Sequence, residues 1–465
     1  MNVIIPNEIR QVYEKIKIAG FEAYLVGGSV RGIIMQKQVK DWDLATNAVP
    51  EEILKIFPNG FYDNSFGTVG LPVEALAKSG IPAENKQIVE ITTYRTEHGY
   101  TDSRRPKKVE WGKSIEEDLS RRDFTINAIA LRLTSFAQGK PNEYEIIDLF
   151  GGQEDLENKI IKAVGDPSQR FKEDALRLMR AIRIATELSF TIEEKTWNEI
   201  VNDSSLISEI SKERVSTELL RILASDYPYE GVMLLKNSGL LAQILPELIK
   251  GEGVSQERPG RHHTSDVFTH NVMSLKHCPS IDPIVRFATL IHDVGKPYVE
   301  SKDEEGLVIF YNHEIAGARI SREICERLKF SKKDKEKIVN LIRWHMFTVD
   351  ENITDAAVRR FIRRVDVENV KDMMDLRIGD RLGGGTQTAE SWRLKLFKKR
   401  VEEQLQPAPF SINDLAIDGN DVMKILEIKP GPKIGEILQK LFEEVDEDLS
   451  KNTKEYLTQK VKELV

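Results

Sequence analysis

Two hydrophobic rhythms divide the chain. Up to about residue 145, short apolar runs rich in β-branched and aromatic residues (FEAYLVGG from Phe21, KQIVEITTY from Lys86, EYEIIDL from Glu143) alternate with helical stretches and turn signals such as Pro58-Asn59-Gly60. This part predicts a mixed α+β unit. From about residue 155 the apolar positions recur at helical spacing, as in EDALRLMRAIRIATEL from Glu173, RVSTELLRILAS from Arg214 and the stretch Asn271 to Lys276. The remainder is therefore expected to be helical. Gly383-Gly384-Gly385 and the QPAPF segment at 406–410 interrupt that pattern and suggest a boundary before a C-terminal part. No repeat of fixed period is present.

A chain of 465 residues exceeds one ordinary hydrophobic core and points to several structural units. With 40% hydrophobic and 31% charged residues, its composition is that of a globular protein rather than a low-complexity one. The N-terminal segment lacks the layout of a secretion signal, and no apolar run is long enough to span a bilayer, so no membrane role and a cytoplasmic location are expected. Cys278 and Cys325 are too few for a disulfide framework and read as buried thiols. The net charge of −8 disfavours nonspecific coating of nucleic acid, yet Arg359-Arg360, Arg363-Arg364 and Lys398-Lys399-Arg400 are locally basic. Each of these reads equally as a solvated helix face balanced by nearby acids.

The most chemically suggestive segment is Leu25-Val26-Gly27-Gly28-Ser29-Val30-Arg31, followed by Asp41-Trp42-Asp43. An apolar strand ending in Gly-Gly before a helix lets the backbone approach a phosphate chain, and the helix N-terminus favours an anion. Two aspartates one residue apart on a strand point to the same side, where both carboxylates can hold divalent cations for phosphoryl transfer. Glu90, in a β-like run, is the candidate third acid. Taken alone, a Gly-Gly turn or an Asp-x-Asp is usually structural; their order here gives them meaning.

The chain resembles the class II tRNA nucleotidyltransferase and poly(A) polymerase family of the polymerase-β superfamily over nearly its whole length. The resemblance rests on GGSVRG, the DWD pair, VEITTYR, RRDFTINA from Arg121, DLFGG from Asp148, EDALRLMR from Glu173 and ERVSTEL from Glu213. It implies a polymerase-β-like nucleotidyltransferase head at 1–145, a helical neck that selects the base at 146–225, a helical body at 226–385 and a helical tail that binds tRNA at 386–465. Gly27, Gly28, Arg31, Arg122, Asp123, Asn127, Asp174, Arg177 and Arg180 are then the nucleotide contacts, and Asp41 and Asp43, assisted by Glu90, carry Mg2+ and catalysis. If RRDFTINA is helical, Asp123 and Asn127 share a face and can orient the sugar. Asp174 and Arg177, three apart on a helix, can meet one incoming base: cytosine and adenine each pair an exocyclic amine with a ring-nitrogen acceptor, a pattern that Asp and Arg complement. Glu213, Arg214 and Glu218 are expected to support that pair. Gly32 stands where the family usually has Asp, and Gly70 to Lys86 falls where the family has a flexible loop. The segment from Leu415 to Val445 is similar to the tails of CCA-adding enzymes. The implied activity is addition of C, C and A to tRNA from CTP and ATP; poly(A) polymerase or partial addition shares the same motifs.

A second constellation lies in the helical part. His270, His292-Asp293, His313, His345 and Asp380 follow in order, the second of them after an apolar run. Imidazole and carboxylate side chains from several helices can converge on a divalent metal. The segments HTSDVFTH, ATLIHDVGK and LRIGD are similar to those of HD-domain phosphohydrolases. The resemblance implies His270, His292, Asp293 and Asp380 as ligands of a second divalent metal, with His313 and His345 as second-metal or phosphate contacts. An HD fold kept only for docking, or an HD phosphohydrolase carrying an inactive head, is the competing reading.

Overall fold

A computed structural model of the chain describes residues 5–39, 41–62, 67–72, 88–100, 106–112, 114–134, 143–256, 265–405 and 411–464. They form two compact units, Met1–Pro246 and Glu247–Val465.

The first unit carries a seven-stranded mixed sheet and a separate hairpin. The strands are β1 (Tyr24–Val26), β2 (Trp42–Thr46), β3 (Phe61–Tyr62), β4 (Thr68–Pro72), β5 (Ile88–Thr93), the hairpin β6 (Arg95–Tyr100) and β7 (Pro106–Trp111), then β8 (Ile129–Leu133) and β9 (Tyr144–Asp148). In the large sheet the order is β3-β4-β5-β2-β1-β8-β9. Only the β2–β5 pairing is parallel; every other ladder in this sheet is antiparallel. The two-residue period of a strand explains the sides: Val89 and Ile91 are fully buried, while Glu90 between them stays exposed. Tyr24, Val26, Tyr94, Leu119 and Ala130 build the core beneath.

The DLFGG motif is a joint. Asp148 at the end of β9 accepts hydrogen bonds of 2.8 Å from the amides of Gly152 and Gln153, capping the helix Gly152–Glu157. A Cβ on Gly152 would lie 2.3 Å from the Thr125 carbonyl oxygen, so only glycine lets this helix seat against the RRDFTINA segment. Beyond it the chain is helical, with Pro167–Glu173, Leu176–Leu188, Glu194–Asn202, Lys212–Ala224 and Pro228–Asn237 in the same unit.

The second unit is nearly all helix. Helices Val267–His277 and Val370–Gly383 approach so closely that a Cβ on Gly379 would stand 2.6 Å from the Ser274 carbonyl oxygen, and one on Gly383 2.3 Å from Ser274 Oγ. The last apolar cluster gathers Leu415, Val422, Leu441, Val445 and Leu457. The basic stretches of this unit are engaged within it. Buried Asp446 takes 2.7 Å from Arg359 and 2.5 Å from Arg363, while Arg360 pairs with Glu447, Lys398 with Glu390 and Arg400 with Asp355.

No helix among the described residues is long and apolar enough to cross a membrane. Cys278 and Cys325 are free and buried, and burial pushes the Cys325 thiol up to about 12. Most of the stretch Gly70 to Lys86, and the QPAPF segment, lie outside the described residues.

The close seat of Gly152 sets an expectation. Replacing it with Ala should lower stability by about 1–3 kcal/mol or more through overpacking, read as an earlier urea transition. An unchanged midpoint would mean that this joint is looser than described.

Candidate active site and metal centre

In the head, β1 delivers the chain to Gly27, whose φ of +69° lies in the left-handed region. A Cβ there would stand 3.1 Å from Asp43 Oδ2 and 3.3 Å from Arg122 Nη1, so this position needs glycine for both its backbone conformation and its neighbours. The helix Gly27–Ile34 follows at once and runs unbroken through Gly32. Asp43 sits on β2 opposite Val26 of β1 and, across the parallel ladder, beside Glu90 of β5. Asp41 lies at a bend just before β2 rather than on the strand, and still lines the same cleft. Burial first, and then the charges of Glu90 and Asp41, push the Asp43 carboxyl up to about 6 against the opposing pull of Arg122 and Arg31. A carboxylate strained in this way is relieved by a proton or a cation, which is what a metal-binding acid requires.

The cleft encloses about 900 Å³. Ten Arg and Lys side chains line it against five Asp and Glu, counted among the described residues, so a chain of net charge −8 presents a locally basic cavity here. Every position expected as a nucleotide contact or catalytic acid lines it: Gly27, Gly28, Arg31, Asp41, Asp43, Glu90, Arg122, Asp123, Asn127, Asp174, Arg177 and Arg180; of the supporting residues Arg214 does, and Glu213 and Glu218 do not.

Local geometry departs from expectation in two further places. The RRDFTINA segment is no α-helix; a single 3₁₀ turn, Thr125–Asn127, follows an extended Phe124. Asp123 and Asn127 nevertheless meet, because Asn127 Nδ2 donates to Asp123 Oδ1 at 3.0 Å, and Asn127 Oδ1 accepts from Arg31 Nη1 at 2.6 Å. The other Asp123 oxygen takes Arg180 Nε at 2.8 Å and Nη2 at 2.6 Å. Burial opposes the charge on Asp123, but Arg180 and Asn127 hold its carboxyl well below the usual range.

Asp174 and Arg177 do not share one continuous helix. The helix Pro167–Glu173 ends at Asp174, which is extended, and the next runs Leu176–Leu188. Asp174 Oδ1 accepts from the Leu176 amide at 3.1 Å, and Arg214 grips both its oxygens at 2.7 and 3.3 Å. Arg177 Nη1 donates to Glu173 at 2.8 Å and to the Arg170 carbonyl at 3.1 Å, while its Nη2 donates to the Arg121 carbonyl at 2.9 Å. Arg214, expected as support, thus holds the acid directly, and buried Glu218 holds buried Arg183 at 2.8 Å.

Asp118 was not singled out in the sequence. It is fully buried and receives Arg121 on one oxygen and Arg122, at 2.9 Å, on the other. Burial raises its pKa, and the two guanidinium groups outweigh that and lower it. Its spacing of three and four from the arginine pair on the helix Ile115–Ser120 and its cap was the available signal.

The second unit gathers the histidines. His270 lies on Val267–His277, His292-Asp293 in the turn after Pro283–Leu290, His313 at the start of His313–Arg327, His345 just after Lys332–Trp344, and Asp380 on Val370–Gly383. Gly295 brings the His313 helix close, since a Cβ there would be 2.2 Å from the His313 carbonyl oxygen. His270 Nε2 stands 3.3 Å from Asp293 Oδ2 and 3.2 Å from Asp380 Oδ1, with His292 Nε2 at 3.4 Å from Asp293 Oδ2. On the other side, His313 and His345 aim Nε2 at Asp293 Oδ1 from 3.4 and 3.6 Å. The Nδ1–H groups of His292, His313 and His345 donate to the carbonyl oxygens of Thr289, Phe310 and Ile342 at 2.8, 2.8 and 2.7 Å. Because a carbonyl only accepts, neutral rings so held turn a lone pair on Nε2 toward Asp293. Two metal-capable groups result, His270/His292/Asp293 and Asp293/His313/His345, with Asp293 common to both. Lys296, also missed in the sequence, pairs with Asp293 at 2.5 Å.

The Poly A polymerase head domain family matches residues 23–162, the family described as a probable RNA and SrmB-binding site of polymerase A matches 189–251, and the putative tRNA nucleotidyltransferase domain 2 family matches 299–461. The CCA-adding enzyme of Limosilactobacillus reuteri is 31% identical over 462 residues, 98% of this chain and 96% of that one. That of Streptococcus gordonii is 41% identical over 257 residues, which are 55% of this chain and 59% of that one. Among solved structures, the Bacillus stearothermophilus CCA-adding enzyme in complex with CTP superposes with a TM-score of 0.70 at 24% identity, covering 99% of this chain and 98% of the other, a likeness that carries the fold. With a relative 31% identical along 98% of its length, the chain belongs to the CCA-adding enzyme family of nucleotidyltransferases, whose chemistry depends on a divalent metal.

Proposed function

We propose that this chain adds C, C and A to the 3′ end of tRNA from CTP and ATP, without a nucleic-acid template, by nucleotidyl transfer at Asp41 and Asp43. The observation that carries the reading is the raised Asp43 carboxyl beside Glu90 in a basic cleft that Asp174 and Arg177 also line. Asp41 and Asp43 hold Mg2+, with Glu90 as third acid. Bound there, divalent metal lowers the pKa of the attacking 3′-hydroxyl and takes up charge on the leaving pyrophosphate.

The side chains do the rest. Gly27 and Gly28 admit the triphosphate to the backbone, and Arg31 and Arg122 face its charge, Arg122 being aimed by Asp118 and by the Asn127 carbonyl at 3.2 Å. Asp123, Asn127 and Arg180 form a brace that positions Arg31. Asp174 keeps acceptor capacity after Arg214 and the Leu176 amide are satisfied, and Arg177 keeps donors on Nε and Nη2. One acceptor and one donor side by side fit the amine and ring nitrogen of cytosine or adenine; guanine and uracil meet them with like against like. A four-part division into head (1–145), neck (146–225), body (226–385) and tRNA-binding tail (386–465) fits this scheme. In the body, His270, His292, Asp293 and Asp380 hold a second divalent metal with His313 and His345 across Asp293, a centre suited to phosphate-ester hydrolysis. The three Nδ1-to-carbonyl bonds, which turn each Nε2 toward Asp293, support this.

Incubating the full chain with tRNA lacking its 3′ CCA, Mg2+ and each labelled NTP, alone and together, should give products that stop after C, C and A. An A ladder would make it a poly(A) polymerase, and Asp43→Asn should lower incorporation by at least roughly 10³-fold. The Asp43 shift also fixes a pH dependence. Its folded pKa is raised, so without metal the protonated carboxyl contributes stability in full below its ordinary value of about 4, and that contribution is lost as pH rises through about 6. Metal competes with the same proton. Apparent Mn2+ affinity of the head, titrated calorimetrically, should be level above pH 7 and fall roughly ten-fold per unit below about 6. Affinity independent of pH from 5 to 7 would contradict the assignment of Asp43.

A further inference from the structure

Beside the histidine centre lies a second cavity of about 470 Å³, bounded by Phe347, Arg377, Arg381, Ser391, Trp392 and Arg393. We propose that it binds the nucleoside monophosphate moiety of a phosphate ester, the phosphate on Arg381 and Arg393 and the base against Trp392. This deepens the hydrolytic reading of the body by naming the substrate class of that centre, and it rests on that reading only for the chemistry, not for the binding.

Charge argues for an anion. Three arginines line the cavity, and no Asp or Glu does among the described residues. The basic stretches elsewhere in this unit are neutralised by Asp446, Glu447, Glu390 and Asp355; of the cavity arginines only Arg377 meets an acid among the described residues, Asp380. Arg381 has no ion pair among the described residues, and its buried Nε has no hydrogen-bond partner. Arg377, one turn earlier on Val370–Gly383, gives Nη1 to Asp380 at 2.9 Å and also leaves a buried Nε without a partner. Leaving guanidinium donors dry costs free energy that an oxyanion in the cavity would recover. A phosphate is the oxyanion whose several oxygens match two forks at once.

Shape argues for a base. The Trp392 side chain is 59% exposed at the start of the helix Trp392–Leu405, with the Arg393 guanidinium 5.4 Å from its ring centroid. Phe347 faces Arg377 at 5.4 Å. A flat, exposed indole beside unneutralised arginines is a stacking platform next to a phosphate site. The volume lies within the usual span of small-ligand sites, about 300–1,000 Å³.

Connectivity argues for a link to the metal centre. Arg377 is shared: it lines the cavity and holds Asp380, which stands 3.2 Å from His270 Nε2. Phe347 follows His345 by two residues, and its amide donates to the His345 carbonyl at 3.2 Å. An ester anchored by its phosphate in this cavity would lie one side chain away from the ligands.

The test uses the full chain with the head silenced by Asp43→Asn, Asp174→Ala and Arg177→Ala, so that nucleotide bound is nucleotide bound in the body. Calorimetry with CMP and AMP should show binding that Arg381→Gln weakens at least ten-fold and Trp392→Ala weakens several-fold. Inorganic phosphate should bind more weakly, depend on Arg381 and ignore Trp392, and cytidine should not bind. A short RNA with a terminal phosphate serves as the other arm: tighter binding than CMP assigns the site to an RNA end, equal binding to free nucleotide. CMP affinity unchanged by both substitutions would overturn the proposal. Mn2+ content, measured on the same proteins by mass spectrometry, separates the two readings. Nucleotide binding through Arg381 without metal would sink the hydrolytic centre and leave the cavity standing; metal lost on His292→Ala, with nucleotide binding indifferent to Arg381, would do the reverse.

Discussion

The head depends on one register. Pairing β2 with β5 in parallel places Asp43 next to Glu90, and pairing β2 with β1 places Asp43 opposite Val26, so the carboxylate sits directly under Gly27. Like charges forced together and half sheltered from water are costly, and this site leaves the cost standing until something positive arrives. A slip of one residue in either ladder would turn Asp43 and Glu90 into the core and bring Trp42 or Leu44 to the cleft. The glycine, the basic lining and the neck's ion pairs all serve a geometry that this register creates.

Rigidity in the neck comes from giving each charged group more than one partner. Asp118 orients two arginines, Arg121 passes the constraint through its carbonyl to Arg177, and Arg180 and Arg214 close on Asp123 and Asp174. A donor and an acceptor held on both sides can refuse a base that offers the wrong pattern, because the mismatch leaves buried groups unpaired rather than letting them swing away. On the proposed reading, this is how side chains stand in for a template.

Much of this was legible in the sequence, and what was not has physical causes. The Gly-Gly turn and the alternation around Glu90 are local patterns that the sheet uses as read, while of the Asp-x-Asp pair only Asp43 is on the strand and Asp41 sits at the bend before it. The break at Asp174 was hidden, since EDALRLMR contains neither Gly nor Pro; the helix stops because the Asp174 side chain takes the amide of Leu176 two residues on, and Arg214 pulls the carboxylate aside. Asp118 offered only its spacing of three and four from the arginine pair, and a buried acid becomes plausible only once both arginines are known to hold it. Gly383 looked like a boundary, yet its missing side chain also lets the helix carrying Asp380 lie against Ser274. The histidine order along the chain suggested a metal centre, but only three-dimensional placement reveals that Asp293 stands between two groups of ligands. The basic runs at 359–364 and 398–400 hold helices together.

The central claim is that Asp174 and Arg177 choose the nucleotide. It is tested most directly by kcat/KM for CTP against UTP on tRNA lacking its CCA, compared between the natural chain and Asp174→Ala, with Mn2+ affinity of the head followed alongside. The account predicts that the preference for CTP falls by about ten-fold or more while head metal affinity stays the same. An undiminished preference for CTP in the variant would contradict it.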